Sequence, residues 1–300
     1  MIEPFIELPQ SFLDMPRWWH EGGEWLDTLP HTTEQVCRTW DLTIDGEVMH
    51  GSNAIVIPVL RNGEPLALRM APPDDRNTGE VAALRFWDGR GIVRLIDAET
   101  CIGASLLERL DAGRSLAALP LAHAVPVIAR LMRRLAVPAP PDVPSTADLE
   151  RQRLATMPAE WRHLGSPFDR EILAASLDAA SGLTSASPDL AVNGDLHFEQ
   201  VLAGERESWL AVDPVLLRGD IEYDLARILW SRLDEMVTDD EVIHWFDVIV
   251  REAGLDHDRA RSWVLFRTVD YWLWGLSYGL TEDPVRCARL ARILVSDSTS

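Results

Sequence analysis

The chain has 300 residues, a length that corresponds to two domains of about 150 residues or to one enzyme with two lobes. Its 48 acidic residues outnumber 28 basic residues, all of them arginine, so the net charge is −20. Hydrophobic residues make up 47% and charged residues 25%, which is a globular composition and excludes an extended disordered acidic chain.

This acidic balance also restricts the classes of partner. Phosphate contacts require a face dense in basic residues, so we expect neither nonspecific nucleic-acid binding nor attachment to an anionic membrane. The charge is compatible with a cationic small-molecule partner or simply with solubility. Cys37, Cys101 and Cys287 are widely spaced, which favours free thiols in a reducing cytoplasm. No apolar run approaches the roughly 20 residues of a membrane-spanning helix.

The first third of the chain predicts a twisted antiparallel sheet with a helix on it. Two apolar runs, 53–60 and 65–70, flank a turn that contains Asn62 and Gly63. Asn-Gly readily adopts the positive φ angles of a tight turn, so this pattern predicts a β-hairpin. The other predicted elements are helices within residues 1–40 that include Trp18 and Trp19, a strand from Leu42, a helix over 79–87, and strands over 92–97 and 104–110.

From about residue 115 onward the patterns are helical. Helices are predicted over 121–135, 147–156, 169–181, 222–235, 239–252, 256–279 and 283–294. Several of them begin with acidic residues, which suits the positive end of a helix dipole. The chain is therefore expected to have a small β-rich part followed by a larger α-rich part.

Residues 191–226 carry the pattern that is most informative about chemistry. Asp195 stands in a tight polar loop, and two short strands joined by a turn lead from Gln200 to Asp213. Because a turn brings the outer ends of two strands together, Asp195, Gln200 and Asp213 are expected to converge. Carboxylate and amide oxygens of this kind suit Mg²⁺, which leaves other positions for phosphates. The alternative is that these acids only form turns and cap helices.

This segment resembles the catalytic core of aminoglycoside phosphotransferases, and most closely the aminoglycoside/hydroxyurea antibiotic resistance kinase family, which includes streptomycin 6-kinases. The matching residues are Gly194-Asp195-Leu196-His197, Val201-Leu202, Trp209-Leu210, Asp213-Pro214, Gly219-Asp220, Tyr223-Asp224, and upstream Ala83-Leu84-Arg85, Trp87, 89–95 and 106–110. The resemblance implies an α+β, protein-kinase-like fold of two lobes that hold ATP between them. We expect a nucleotide-binding N-lobe over 1–110, with the N-terminal helices and the antiparallel sheet. A C-lobe over 111–300 is expected to hold the catalytic loop, the metal site and a helical acceptor-binding region.

The resemblance also assigns roles to individual residues. Asp195 is the expected catalytic residue, and Asp213 and Gln200 are the expected Mg²⁺ ligands beside the phosphates of ATP. The expected nucleotide-binding residues are Ser52, Arg69, Glu80, Glu108 and Leu110; Arg69 and Glu80 form the phosphate-binding pair, and the backbone at Glu108 and Leu110 faces adenine. The loop that contains Ser52 has no glycine-rich signature, so an ordinary connection between strands explains it equally well.

Three positions depart from the pattern of this family. Arg69 stands where Lys is usual, Asn193 where His is usual, and Gln200 where Asn is usual. At Arg69 a planar guanidinium replaces the compact ammonium group of lysine, and the two groups bind phosphate with different geometry. Because of these three departures, a nucleotide-binding pseudokinase with a regulatory or scaffolding role is the alternative from another functional class.

The expected acceptor is a small molecule, a streptomycin-like aminoglycoside or hydroxyurea, and an endogenous amino sugar or metabolite remains an alternative. Acidic residues of the C-terminal helices would suit a cationic acceptor. The candidates for acceptor contacts are Asp234, Glu235, Asp270 and Trp274. Trp272, Trp274 and Tyr278 fit either the wall of that site or the core. His197 is expected to be structural, because no second histidine or cysteine stands at metal-ligand spacing near it.

Overall fold

The computed structural model describes residues 5–15, 18, 23–183 and 189–297. Trp19, which was expected in the N-terminal helices, lies outside these residues. Within them, no helix combines the length and the apolar character needed to cross a membrane.

The elements follow the predicted order: N-terminal helices come first, then a part rich in strands, and then a part that is mostly helical. The strands are β1 Thr43–Ile44, β2 Met49–His50, β3 Ile55–Arg61, β4 Glu64–Met70, β5 Leu95–Glu99, β6 Ala104–Glu108, β7 Asp111–Ser115, β8 Leu190–Val192, β9 Val201–Ala203, β10 Leu210–Ala211 and β11 Leu217–Gly219. The α-helices are α1 Gln10–Leu13, α2 Gly23–Thr39, α3 Asp75–Trp87, α4 Leu121–Leu135, α5 Thr146–His163, α6 Arg170–Ser181, α7 Leu225–Ser231, α8 Asp239–Ala253, α9 His257–Ser277 and α10 Asp283–Asp297.

The chain divides into two compact units. The first contains Met1–Gly113 and Leu202–Val212, and the second contains Arg114–Val201 and Asp213–Ser300. The division differs from lobes 1–110 and 111–300 chiefly in the segment 202–212. That segment belongs to the first unit because Ala211 accepts a hydrogen bond from the Val93 N–H (2.8 Å) and donates one to the Gly91 carbonyl (3.0 Å).

The first unit is built on an antiparallel sheet with strand order β1-β3-β4-β6-β5, in which β2 also pairs with β3. The predicted hairpin is confirmed: β3 and β4 pair from Ile55↔Met70 to Arg61↔Glu64, and Asn62 and Gly63 have φ angles of 54° and 82°. Two successive positive φ angles are the signature of the tight hairpin turn that Asn-Gly favours.

Several predicted helices have different bounds in the structure, and the helix expected over 147–156 extends to His163. The helix expected over 79–87 begins at Asp75, because the Asp74 carboxylate caps it by accepting a hydrogen bond from the Asn77 N–H. The helix expected over 222–235 is broken into a 3₁₀ turn, the short helix α7, and a second 3₁₀ turn. The strand expected over 92–97 lies three residues later, as β5.

In the second unit, α9 packs against α6, α7 and α10. Beside these helices, β8 and β11 form an antiparallel pair with Leu217 opposite Val192 and Gly219 opposite Leu190. The register of this pair brings the loop that follows β8 and the segment that precedes β11 to the same end of the ladder. Both segments carry expected site residues.

Candidate active site

The loop that carries the expected catalytic residue, residues 193–200, follows β8, and we call it the catalytic loop. Its first turn is held by the Asn193 side chain, whose Oδ1 accepts a hydrogen bond from the Asp195 N–H at 3.2 Å. Gly194 has φ +85°, and a Cβ there would lie 2.8 Å from the Val215 carbonyl oxygen. Glycine is therefore required at this turn, since any side chain would meet both strain and a backbone atom. The turn fixes the direction in which Asp195 leaves the backbone.

Asp224 anchors the same loop from the start of α7. Its two carboxylate oxygens accept hydrogen bonds from the N–H groups of Asn193 (3.1 Å) and Gly194 (2.9 Å). The side chain is buried, and burial raises the pKa of Asp224 to about 7, although the Arg267 charge and the two N–H donors act in the opposite direction. The sequence pattern included Asp224 but gave it no role. Its role becomes visible only when residues 31 positions apart are brought together.

Arg227, one turn further along α7, contacts the Asp195 side chain. Its Nε lies 3.1 Å from Asp195 Oδ1, and its Nη1 lies 4.0 Å from Asp283 Oδ2. The Gln200 amide donates a longer hydrogen bond of 3.4 Å to the other oxygen of Asp195. The Asp195 side chain is 41% exposed, so it is accessible as well as positioned. Sequence reasoning missed Arg227, because nothing in its local pattern distinguishes it from a solvated arginine.

The expected metal ligands can be tested against the surroundings of Gln200. Its Oε1 atom is buried and has no hydrogen-bond partner among the described residues. An unpartnered buried carbonyl oxygen is costly unless it faces a cation or a donor, so this atom fits a Mg²⁺ ligand. Within residues 5–15, 18, 23–183 and 189–297, no three His, Cys, Asp or Glu side chains converge as a metal site. Gln200 and Asp213 supply oxygen donors of the kind that suits Mg²⁺.

Asp213 follows β10 with a φ of +50°, an unusual conformation for a residue other than glycine. Its charge acts on the His197 imidazole: Asp213 and Asp283 favour protonation, whereas burial and Arg227 oppose it and prevail, and the pKa of His197 falls to about 3. His197 is therefore neutral and buried, as a structural histidine is. The segment that begins at Asp213 lies beside the catalytic loop, because the Val215 N–H donates a hydrogen bond to the Asn193 carbonyl at 2.8 Å.

In the first unit, Arg69 on β4 and Glu80 on α3 form a buried ion pair, with Arg69 Nη2 2.7 Å from Glu80 Oε2. This is the pairing that the resemblance implied. Ser52 lies in the turn between β2 and β3, which is closed by a 3.0 Å hydrogen bond from the Gly51 N–H to the Ala54 carbonyl.

Glu108 at the end of β6 makes more hydrogen bonds within the protein than expected. Its N–H donates to the Arg94 carbonyl at 3.0 Å, and its carboxylate accepts from the Arg94 N–H and from two nitrogens of Arg206. Its expected contact with adenine is therefore limited to its carbonyl group. Leu110, the other residue whose backbone is expected to face adenine, lies between β6 and β7.

The acids proposed as acceptor contacts each face an arginine. Asp234 pairs with Arg286 (2.6 Å), Glu235 with Arg232 (2.5 Å), and Asp270 with Arg153 (2.5 Å). A cationic acceptor would thus have to compete with these arginines for the carboxylates. Trp272 is buried and stacks on Phe168, which makes it a core residue, whereas Trp274 is 41% exposed.

Comparisons with known proteins agree with this arrangement. A profile of the family described as aminoglycoside/hydroxyurea antibiotic resistance kinase matches residues 39–279. The chain is 38% identical over 279 residues to a hydroxyurea phosphotransferase of Kitasatospora aureofaciens, covering 91% of this chain and 81% of that protein. It is 36% identical over 281 residues to a streptomycin 6-kinase of Streptomyces glaucescens, covering 91% and 92%, respectively.

Among solved structures, a ternary complex of a thermostable mutant of aminoglycoside phosphotransferase APH(4)-Ia with ADP and hygromycin B matches with a TM-score of 0.59. The sequence identity is 16%, and the match covers 87% of this chain and 97% of that chain. At this identity the likeness shows the fold alone. The predicted α+β, protein-kinase-like fold, with a β-rich N-terminal part and a helical C-terminal part, is confirmed.

Proposed function

The chain belongs to the aminoglycoside/hydroxyurea antibiotic resistance kinase family, and from that membership we propose which residues perform its reaction and on what. It is a small-molecule kinase. The phosphoryl donor is ATP, and the acceptor is a hydroxyl group of an aminoglycoside or of hydroxyurea. The observation that carries the assignment of residues is the catalytic loop, in which Asp224 fixes the backbone, Arg227 fixes Asp195, and Gln200 presents an unpartnered oxygen.

Asp195 is the catalytic residue of this proposal. Its carboxylate accepts the hydrogen bond of the acceptor hydroxyl and so aims the oxygen lone pair at the γ-phosphorus. As the new oxygen–phosphorus bond forms, the bond to the β–γ bridging oxygen breaks and ADP leaves. The hydroxyl proton passes to Asp195 and then to solvent. Catalysis of this kind depends mostly on positioning and on charge neutralisation.

On the nucleotide side, Arg69 is proposed to bind phosphate and Glu80 to hold it in place. The planar guanidinium keeps its charge at every relevant pH. Ser52 and the backbone at Glu108 and Leu110 are the further nucleotide contacts of the proposal. Gln200 and Asp213 would hold Mg²⁺, which when bound supplies charge neutralisation at the phosphates.

The acceptor is proposed to be cationic, and the net charge of −20 supports this because opposite charge raises the encounter rate. Resistance to an antibiotic or a related toxic compound is the proposed role. We propose a cytoplasmic location, because the reaction uses ATP. The free thiols of Cys37, Cys101 and Cys287 agree with a reducing compartment. The partners are then small molecules, with no part for nucleic acid or membrane.

The test is the Asp195→Asn variant, assayed for phosphate transfer from ATP to streptomycin and to hydroxyurea, with nucleotide binding measured by calorimetry with and without Mg²⁺. We expect transfer to fall by at least 1000-fold, because the amide cannot take the hydroxyl proton, while nucleotide binding changes little. The matched control is Asp258→Asn, which alters a fully exposed carboxylate of the same unit and should behave as wild type. Turnover by Asp195→Asn at the wild-type rate would remove Asp195 from the mechanism. Nucleotide binding without transfer by the wild-type enzyme would favour the pseudokinase.

A further inference from the structure

Four aromatic side chains of the second unit form a continuous stack, which we call the aromatic column. Trp230 on α7 stacks on Tyr271 of α9 (ring centroids 4.6 Å apart, planes at 16°). Tyr271 stacks on Trp274 (5.1 Å, 25°), and Trp274 lies against Tyr278 (4.7 Å, 32°). The spacing 271, 274, 278 follows from the helix, which places residues three and four apart on one face.

Burial changes along this column. Trp230 is fully buried, so packing explains the inner end. At the outer end, Trp274 is 41% exposed and Tyr278 is 71% exposed, and Leu280 and Val285 nearby in sequence are exposed as well. Clustered exposed apolar side chains are unusual on a protein surface and mark contact sites more often than chance. The outer half of the column therefore requires another explanation.

The inner half of the column reaches the catalytic loop. The Arg227 guanidinium carbon lies 5.8 Å from the Tyr271 ring centroid and 5.8 Å from the Trp230 ring centroid. The same guanidinium contacts Asp195 at 3.1 Å. From Tyr271, the two further steps of 5.1 Å and 4.7 Å carry the column about 10 Å outward to Tyr278. The column thus leads from the catalytic residue to solvent.

The charges along this path are unbalanced in favour of acid. Asp283 accepts a hydrogen bond from the Tyr271 hydroxyl at 3.0 Å. Arg286 is shared among Asp283, Asp234 and Glu282, and Arg227 is shared between Asp283 and Asp195. Four carboxylates therefore face these two guanidinium groups, and Arg267, whose guanidinium carbon lies 5.9 Å from the Trp230 ring centroid, adds a third positive charge at the buried inner end. On the other side of α9, Arg153 is shared between Asp270 and Glu160, and the Ser277 hydroxyl reaches Glu160 at 3.5 Å.

We infer that the outer end of the aromatic column, formed by the exposed side chains of Tyr278 and Trp274, is the platform on which the acceptor lies. An aromatic face surrounded by excess acid selects a guanidinium- or ammonium-bearing saccharide, which combines a cation–π contact with apolar ring contacts. Hydroxyurea has too few atoms to contact Asp195 and Tyr278 at the same time. The platform therefore deepens the proposed function and rests on it: the acceptor class is the cationic aminoglycoside.

The main test uses Tyr278→Ala, a surface substitution at the C-terminal end of α9 with little effect on the core. Binding of streptomycin, which carries guanidinium groups, is measured by calorimetry without ATP. Steady-state kinetics then give KM and kcat for streptomycin, for hydroxyurea and for ATP. We expect streptomycin binding to weaken and its KM to rise by about 5- to 30-fold, the range of one cation–π contact. We expect kcat at saturation, the KM for ATP and any turnover of hydroxyurea to stay within twofold.

Two further variants keep the result interpretable. Val237→Ala, at a 79% exposed position of the same unit, is the control and should bind streptomycin as wild type does. Trp274→Phe should retain most of the binding that Trp274→Ala loses, because a smaller ring still offers a face.

The outcomes separate the platform from the proposed function. Unchanged streptomycin binding in Tyr278→Ala and Trp274→Ala overturns the platform even if the wild-type enzyme transfers phosphate. Transfer to hydroxyurea with no binding of streptomycin also overturns it and leaves the kinase intact. If no acceptor is phosphorylated, the proposed function fails, and the calorimetric measurement, which needs no ATP, still decides the platform.

Discussion

Asp224→Asn is the substitution that tests most directly how the catalytic loop is held. In the wild type, two carboxylate oxygens accept the N–H groups of Asn193 and Gly194 at 3.1 and 2.9 Å. An amide keeps one oxygen and places an NH₂ donor against the second N–H. The loss of one hydrogen bond to a charged acceptor corresponds to about 1.5–3 kcal/mol of unfolding free energy. Because a displacement of about 1 Å at a reacting group costs about 100-fold in rate, we expect a kcat loss of that order.

The pH dependence gives this prediction a second readout. Burial raises the pKa of Asp224 to about 7, so the carboxylate that accepts both hydrogen bonds forms as the pH rises through 7, and wild-type kcat should rise across that range. The variant should lack this inflection. The free energy of unfolding should change with pH in the opposite direction to kcat. The folded state keeps the proton between about pH 4 and 7 while the unfolded chain loses it, so the stability of wild type relative to Asp224→Asn should decrease across that window.

Asp220→Asn is the matched control. Asp220 is also a buried aspartate, and it accepts hydrogen bonds from Arg259 and from the Trp263 indole on α9. Its loss should lower the denaturation midpoint by a similar amount and leave kcat per folded enzyme nearly unchanged. Urea denaturation and initial rates at saturating substrates measure both quantities. If the two variants show the same kcat, within twofold, the anchoring role of Asp224 is refuted.

Two further predictions concern stability. Gly194→Ala adds a Cβ 2.8 Å from the Val215 carbonyl oxygen at φ +85°, so we expect a loss of about 1–3 kcal/mol and a lower melting temperature; an unchanged melting curve would contradict the geometry. Glu150→Gln should raise the melting temperature at pH 8, because both Glu150 oxygens are buried without hydrogen-bond partners among the described residues and burial raises the pKa of this carboxyl. The unfolded chain ionises Glu150 near the ordinary glutamate pKa, at about pH 4–5, whereas the folded protein resists this ionisation, so the higher melting temperature of the variant should appear only above that pH. A higher melting temperature that persists at pH 3 would exclude the ionisation of Glu150 as its cause.

The parts of the fold that sequence predicted best are those set by local chemistry. The hairpin follows from Asn62 and Gly63, which determine the turn without help from the rest of the chain. The helix expected over 222–235 was wrong in its continuity. Its apolar spacing is helical, but residues 221–224 form a 3₁₀ turn in which Asp224 reaches the catalytic loop. Such a requirement arises from a contact 31 residues away, which no local pattern contains.

The candidate site shows the same limit. The pairing of Arg69 with Glu80 was implied by a resemblance that covers both residues, and the structure places them 2.7 Å apart. The partner of Asp195 could not be found this way, because Arg227 is one of 28 arginines in a chain without lysine. Nor could the sequence indicate that Asp234 and Asp270 face arginines, since those two pairs join separate elements; the pair of Glu235 with Arg232 is local, three residues apart.

The positions of Asp224, just before α7, and of Arg227, on α7, also limit how this sequence can vary. One residue holds the backbone of the catalytic loop, and the other, three positions later, holds the side chain of Asp195. Because each residue turns an α-helix by about 100°, inserting or deleting one residue between them would rotate Arg227 away from Asp195 while Asp224 stayed in place. Substitutions around this turn are tolerable in principle, but a change of length is not. The interval between these two residues is therefore expected to be free of insertions and deletions wherever the same arrangement is used.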